Sequence, residues 1–151
     1  MKPRALLFLF AAALLLAGPQ APTPKGACAV CGMDVAPYPA WASCVVFKDG
    51  AMSWFDGPKD LFTFLTDMKQ YAPRRKAEDV TAIQVKEYYH LKSVDAHRAF
   101  YVIGSDVMGP MGAELVPFAS EADAKEFMRD HHGKKILTFK EITAHVLKEL
   151  D

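Results

Sequence analysis

Two stretches of this chain space a phenylalanine, an acid and a second phenylalanine identically: Phe55, Asp60 and Phe64, then Phe118, Asp123 and Phe127. In each, a short apolar run ends on the first phenylalanine and a helix-capping position follows two residues later. The acid stands early in the helix, where it faces the partial positive charge of the N-terminus. Ordinary strand-to-helix junctions produce similar spacings, so an internal duplication and a shared local pattern both account for it. Either origin leads to the same expectation, an α+β fold of two ββα-type units in one domain.

The flanking residues fill out those units. Ala42 to Phe47 reads as a strand, Lys48-Asp49-Gly50 as a hairpin turn, and Met52 to Phe55 as the returning strand. Pro58 suits the first turn of a helix running through Met68, with Leu61, Phe62, Phe64 and Leu65 as its buried stripe. Tyr71 to Asp79 is a charged loop. Val80 to His90 and Ala99 to Ile103 are predicted strands with Leu91 to Arg98 between them. Gly104 to Gly112 is a Gly/Met loop and Glu114 to Phe118 another strand. Ser120 and Asp123 open a helix through Met128 that Gly133 stops. Lys135 to Phe139 forms a last strand and Lys140 to Leu150 a last helix.

With 151 residues the chain suits one domain and needs no disulfide framework to hold a core. Its 18 basic and 18 acidic residues balance, so it lacks the positive field that phosphate-dominated binding requires, and no nucleic-acid partner is expected. The N-terminus has the form of an address. Lys2 and Arg4 precede an unbroken apolar run, Ala5 to Ala17, and Gly18-Pro19-Gln20 ends it. Residues 1–21 are expected to be an export signal, 22–27 a proline-bearing linker, and 28–151 the functional domain. At 13 residues the run is short for a bilayer, and an uncleaved segment would give membrane association. Pro19 follows Leu16-Ala17-Gly18 where lipidation needs a cysteine, so the expected location is periplasmic without a lipid anchor.

Chemistry concentrates in Cys28-Ala29-Val30-Cys31-Gly32-Met33, three sulfur atoms in six residues outside any periodic apolar stripe. Two thiolates at this spacing can hold one ion from a single turn, and sulfur of this softness selects Cu(I), Zn(II) or an iron–sulfur cluster. A thioether is a poor zinc ligand, so participation by Met33 favours copper. A short-loop disulfide, a catalytic dithiol, a zinc site and a Met33 that merely packs are the competing readings. Val107-Met108-Gly109-Pro110-Met111-Gly112 is a second sulfur-bearing place, with thioethers on a flexible backbone. Cys44 reads as a small buried hydrophobe. His131 and His132 close a helix, and His90 and His97 flank a turn; each is a weaker ligand candidate.

In combination these residues resemble the NosL family, accessory proteins of nitrous-oxide reductase maturation. The likeness rests on C-x-x-C-G-M at Cys28 to Met33 and on Gly50 to Asp56. It continues through Val94-Asp95-Ala96 with Ala99 to Gly104, and through Met111-Gly112 to Phe118, Asp123-Ala124, Gly133 and Ile136 to Ile142. The resemblance implies an exported Cu(I)-binding chaperone, without catalytic turnover, that supplies the copper centres of nitrous-oxide reductase alongside an ABC-type complex. It carries Cys31 and Met33 onto the C-G-M element, Met111 onto the M-G element and Cys28 onto the first cysteine. Cys28, Cys31, Met33 and Met111 are therefore the expected copper ligands. The family's fold, paired ββα-type units like those of organomercurial lyase, agrees with the pattern above. Many relatives are lipoproteins, which this chain does not match. Two enzyme readings stand against the carrier: a thiol–disulfide oxidoreductase using Cys28 and Cys31, and, from fold analogy alone, an organomercurial-lyase-like activity.

Overall fold

The computed structural model describes residues 22–150. The predicted export signal, residues 1–21, lies outside them. The first unit opens with the hairpin β1 (Ser43–Phe47) and β2 (Met52–Phe55), in register from Ser43 opposite Phe55 to Val46 opposite Met52. Helix α1 (Pro58–Thr66) follows at once, with a proline in its first turn where a missing N–H costs nothing. It stops short of the predicted Met68. Asp67 leaves the helical region at φ −141°, and its side chain accepts a hydrogen bond from Gln70 N to start the short α2 (Met68–Tyr71). After a 3-10 turn at Ala77–Asp79, β3 (Val80–Lys86) pairs antiparallel with β1, and β4 (Ser93–Asp95) pairs with β3. Three-residue β4 lies where only a connection was expected.

The second unit begins with β5 (Phe100–Ile103). The predicted Gly/Met loop contains a small hairpin, β6 (Met108–Gly109) with β7 (Gly112–Ala113). Then come β8 (Val116–Phe118), α3 (Glu121–Asp130) and β9 (Lys135–Thr138). The chain ends in a 3-10 turn, Phe139–Glu141, and α4 (Ala144–Lys148). The single final helix predicted from Lys140 is thus divided, because Glu141 turns back to bond the Thr138 N–H and Thr143 caps α4 separately.

The two units repeat one another. The first sheet has the order β2-β1-β3-β4 and the second β8-β5-β9, so each places its opening strand between its second and third. Phe55 packs on Phe64 at 5.1 Å between ring centroids, and Phe118 on Phe127 at 4.9 Å. The repeated spacing in the sequence is therefore a repeated contact: a ring at a strand end against a ring on the following helix. The α+β expectation of two ββα-type units describes this fold.

One core joins the units. Phe55, Leu61 and Phe64 from the first share it with Tyr101, Leu115, Leu137 and Leu147 from the second, and α4 packs on α1. The Tyr101 hydroxyl, fully buried, donates to the Ala96 carbonyl at 2.8 Å, which satisfies the polar tip of a large apolar side chain. A smaller cluster of Val102, Val116, Phe118, Ala124 and Phe127 fills the space between α3 and its sheet. Among the described residues no helix is long and apolar enough to cross a membrane.

Candidate metal centre

Backbone bonds close the Cys28 to Met33 segment on itself. Cys28 N donates to the Met33 carbonyl at 2.7 Å, and Gly32 N to the Cys28 carbonyl at 3.0 Å. Gly32 takes φ +79°, a left-handed conformation a side chain would resist, so the glycine after the second cysteine is a requirement of the turn. An Ala27–Asp34 bridge ties the two ends together, and Ala29 N donates to the Trp54 carbonyl of β2 at 3.0 Å. The last bond sets the loop over the junction of β2 and α1.

That junction supplies two carboxylates. Asp56 directly follows β2 and Asp60 lies in the first turn of α1. The Cys28 thiol donates to Asp60 Oδ2 at 3.1 Å and the Cys31 thiol to Asp56 Oδ1 at 3.7 Å. One ligand atom from each of Cys28, Cys31, Asp56 and Asp60 lies within 4.8 Å of the others. Cys28 is 3% exposed and Asp56 1%, whereas Cys31 opens to solvent. Asp56 Oδ2 is the buried side-chain oxygen that, among the described residues, has no hydrogen-bond partner. Leaving such an atom unpaired costs about 1–3 kcal/mol, more if charged, and a bound cation or proton would remove the cost.

Burial governs the protonation of this group. It pushes the Cys28 thiol far above the ordinary thiol range and raises Cys31 as well, against opposing hydrogen bonds from nearby backbone. Burial raises Asp56 too, with the hydrogen bond from Cys28 pulling it back and the charge of Asp60 adding to the rise. The metal-free centre is thus a pair of protonated thiols held by two crowded carboxyl groups.

The second sulfur-bearing segment reaches the same helix end. Lys59, the residue before Asp60, donates its ammonium to the Met111 carbonyl at 3.2 Å and its backbone N–H to Glu114 Oε1 at 2.6 Å. The same oxygen accepts from Leu115 N at 2.9 Å. Glu114 is buried, and burial lifts its carboxyl to about 8 although both backbone donors pull it down. This explains why the strand predicted from Glu114 begins only at Val116: Glu114 turns inward to cap α1. Helix α3 is capped by its own Ser120, whereas the equivalent position of α1 is Gly57, which offers no side chain.

Of the four expected ligands, Cys28 and Cys31 meet in the four-residue group. Met33 lies partly buried where the cysteine loop closes, and Met111 stands on the hairpin beside Lys59, 43% exposed. Met108, 60% exposed, points to solvent. The weaker candidates lie elsewhere. Cys44 is buried in β1, its thiol raised to about 11 by burial. His90 contacts Glu87, the His97 ring covers Phe139 at 3.9 Å, and His131 joins Asp106 while stacking on Phe127. His132 adopts φ +56° in the turn that follows α3.

Sequence reasoning did not place Asp56 and Asp60 in the site. Both were in view, Asp56 within the Gly50 to Asp56 segment and Asp60 as a helix-start acid. Their approach to the cysteines depends on a loop-to-strand contact without a sequence pattern.

Comparisons with known proteins match the chain to one family. The sequence model of the NosL family matches residues 19–147. The curated protein "Copper-binding lipoprotein NosL" of Stutzerimonas stutzeri is 32% identical over 131 residues, covering 81% of this chain. The chain spans 64% of that relative's length. The crystal structure of the copper chaperone NosL from Shewanella denitrificans superposes with a TM-score of 0.69 at 26% identity, over 85% of this chain and 97% of that one. With the family model spanning most of its length, this chain belongs to the NosL family.

Proposed function

We propose that the chain is a periplasmic Cu(I) carrier without catalytic turnover, which passes copper toward nitrous-oxide reductase together with an ABC-type maturation complex. The observation that carries the reading is the convergence of the Cys28 and Cys31 sulfurs beside a buried carboxylate oxygen that lacks a hydrogen-bond partner among the described residues. Copper(I) is the cargo that two close sulfurs suit, since soft ligands select it and low coordination leaves it exchangeable. Met33 and Met111 would complete the shell with neutral thioethers. Asp56 and Asp60 are hard ligands, better suited to holding the thiols by accepting their hydrogen bonds. Binding then releases protons, because the sulfurs must ligate as thiolates. Cys31, open to solvent, is the side from which cargo enters and leaves.

The thiol–disulfide oxidoreductase reading fits less well. An exchanging dithiol needs a thiol lowered toward neutrality, and burial moves both of these upward. Competition for Cu(I) between the reduced, anaerobic protein and a chromophoric chelator tests the proposal. One tightly held equivalent, weakened by Met33→Leu and Met111→Leu, supports it. Unaltered thiol exchange with no copper retention would replace it with the oxidoreductase.

A further inference from the structure

We infer that Glu114 and Lys59 form a clamp that sets the spacing between the two sulfur-bearing segments, making Glu114 a positioning residue for Met111. The inference rests on the copper-carrier reading and adds to it how the late hairpin is held at the site. Glu114 Oε1 accepts from Lys59 N at the start of α1 and from Leu115 N behind the hairpin, so one atom binds both elements. The Lys59 ammonium returns the contact to the Met111 carbonyl at 3.2 Å. Two glycines make room for the carboxylate. A Cβ at Gly57 would overlap Glu114 Oε2, and one at Gly109 would stand 3.0 Å from both its Cγ and Oε2. Gly57 is the N-cap residue of α1 and Gly109 lies in β6, so Glu114 is gripped between them.

The comparison with the second unit shows that this arrangement is not needed merely to start a helix. Helix α3 begins with Ser120 bonding Asp123 N from within its own segment. In α1 the local cap is absent and its task passes to a residue 57 positions beyond Gly57, carried on the methionine hairpin. The neighbour of Lys59 is Asp60, which accepts from Cys28. A continuous path of bonds therefore runs from Met111 through Lys59 to the cysteine loop. Its consequence is a Met111 backbone tied to the start of α1, so that the thioether is carried from a set position instead of from a free loop.

The test is a double-mutant cycle on Cu(I) affinity, read by anaerobic chelator competition. Glu114→Ala and Met111→Leu should each weaken binding by about tenfold, the low end for losing a residue that orients a ligand. The double variant should be no weaker than either alone. Lys59→Met, which keeps the backbone cap, should weaken binding in the parent and leave a Met111→Leu background unaffected. This variant carries the test should Glu114→Ala fail to fold. A spectroscopic readout separates positioning from general loosening: one equivalent of Ag(I) should shift the methyl NMR resonances of Met33 and Met111 in the parent, and only Met33 in Lys59→Met. Losses that multiply in the double variants overturn the clamp. An inert Met111→Leu alongside copper loss in Cys31→Ser overturns it too, yet spares the carrier. Full copper retention by Cys31→Ser removes the carrier reading and the clamp together.

Discussion

Gly57→Ala should destabilise this protein far more than a glycine-to-alanine change at a helix start ordinarily does. The backbone is not the obstacle, since φ −159° is extended and open to any residue. The obstacle is space. The added methyl overlaps Glu114 Oε2 and stands 3.1 Å from its Cδ, so the carboxyl must move. Moving it strips the acceptor from Lys59 N and Leu115 N, at 2.6 and 2.9 Å, in a place where water has no access. Two buried donors left unpaired cost about 1–3 kcal/mol each, less whatever relaxation recovers, and loss of a helix cap alone costs about 1 kcal/mol. A net loss of roughly 3 kcal/mol follows, which for a domain of this size lowers the melting midpoint by about 10 °C. Thermal and urea unfolding followed by circular dichroism measure it directly. A cap moved to α1 itself should repair the damage: Gly57→Ser combined with Glu114→Ala reproduces the local Ser120 cap and should regain at least half the stability lost in Glu114→Ala. A Gly57→Ala protein within about 1 kcal/mol of the parent, the range of an ordinary capping change, would refute the packing argument.

Four other outcomes follow from the same geometry. Copper affinity should rise with pH through neutrality, its logarithm climbing by about one to two per pH unit, because both thiols are held protonated in the metal-free state and must lose protons to ligate; competition at several pH values measures the slope. Glu114 titrates near 8 in the fold against an ordinary value of 4.5, so its contribution to stability is complete below pH 4.5 and is lost as pH rises through 8. Urea unfolding should show the parent losing a few kcal/mol relative to Glu114→Gln across that window. Asp56→Asn replaces a buried carboxylate that Asp60 crowds and whose Oδ2 lacks a partner among the described residues, and should raise the metal-free melting midpoint by about 3 °C while lowering copper affinity about tenfold. Cys44→Ala should leave copper affinity within a factor of about two and cost about 1 kcal/mol of stability, since Cys44 is a packed core residue that is not a member of the metal group.

How much of this was legible in advance depended on the range of each interaction. Strand β2 and the start of α1 were readable because local rules decide them: a hairpin turn between two apolar runs, and a proline that suits a helix start. The phenylalanine spacing foretold a repeated contact because each ring pair joins near neighbours in sequence. Strand β4 and the β6–β7 hairpin escaped notice, being too short to show periodicity. Cys28 and Cys31 stood out through their own spacing. Asp56 and Asp60 join them across 25 and 32 residues, and Glu114 reaches Lys59 across 55; such pairings arise only once the sheets are packed. The sequence pattern also pointed to an acid at the helix start for dipole reasons, and the fold puts that same acid, Asp60, under a thiol.

Copper-edge X-ray absorption on the protein loaded anaerobically with one equivalent of Cu(I) tests the central claim most directly. The account predicts a first shell made of sulfur, reduced in number by Met111→Leu and lost with the metal in a Cys28→Ser/Cys31→Ser protein. A shell dominated by oxygen or nitrogen, or a sulfur shell that survives the loss of both cysteines, would contradict it.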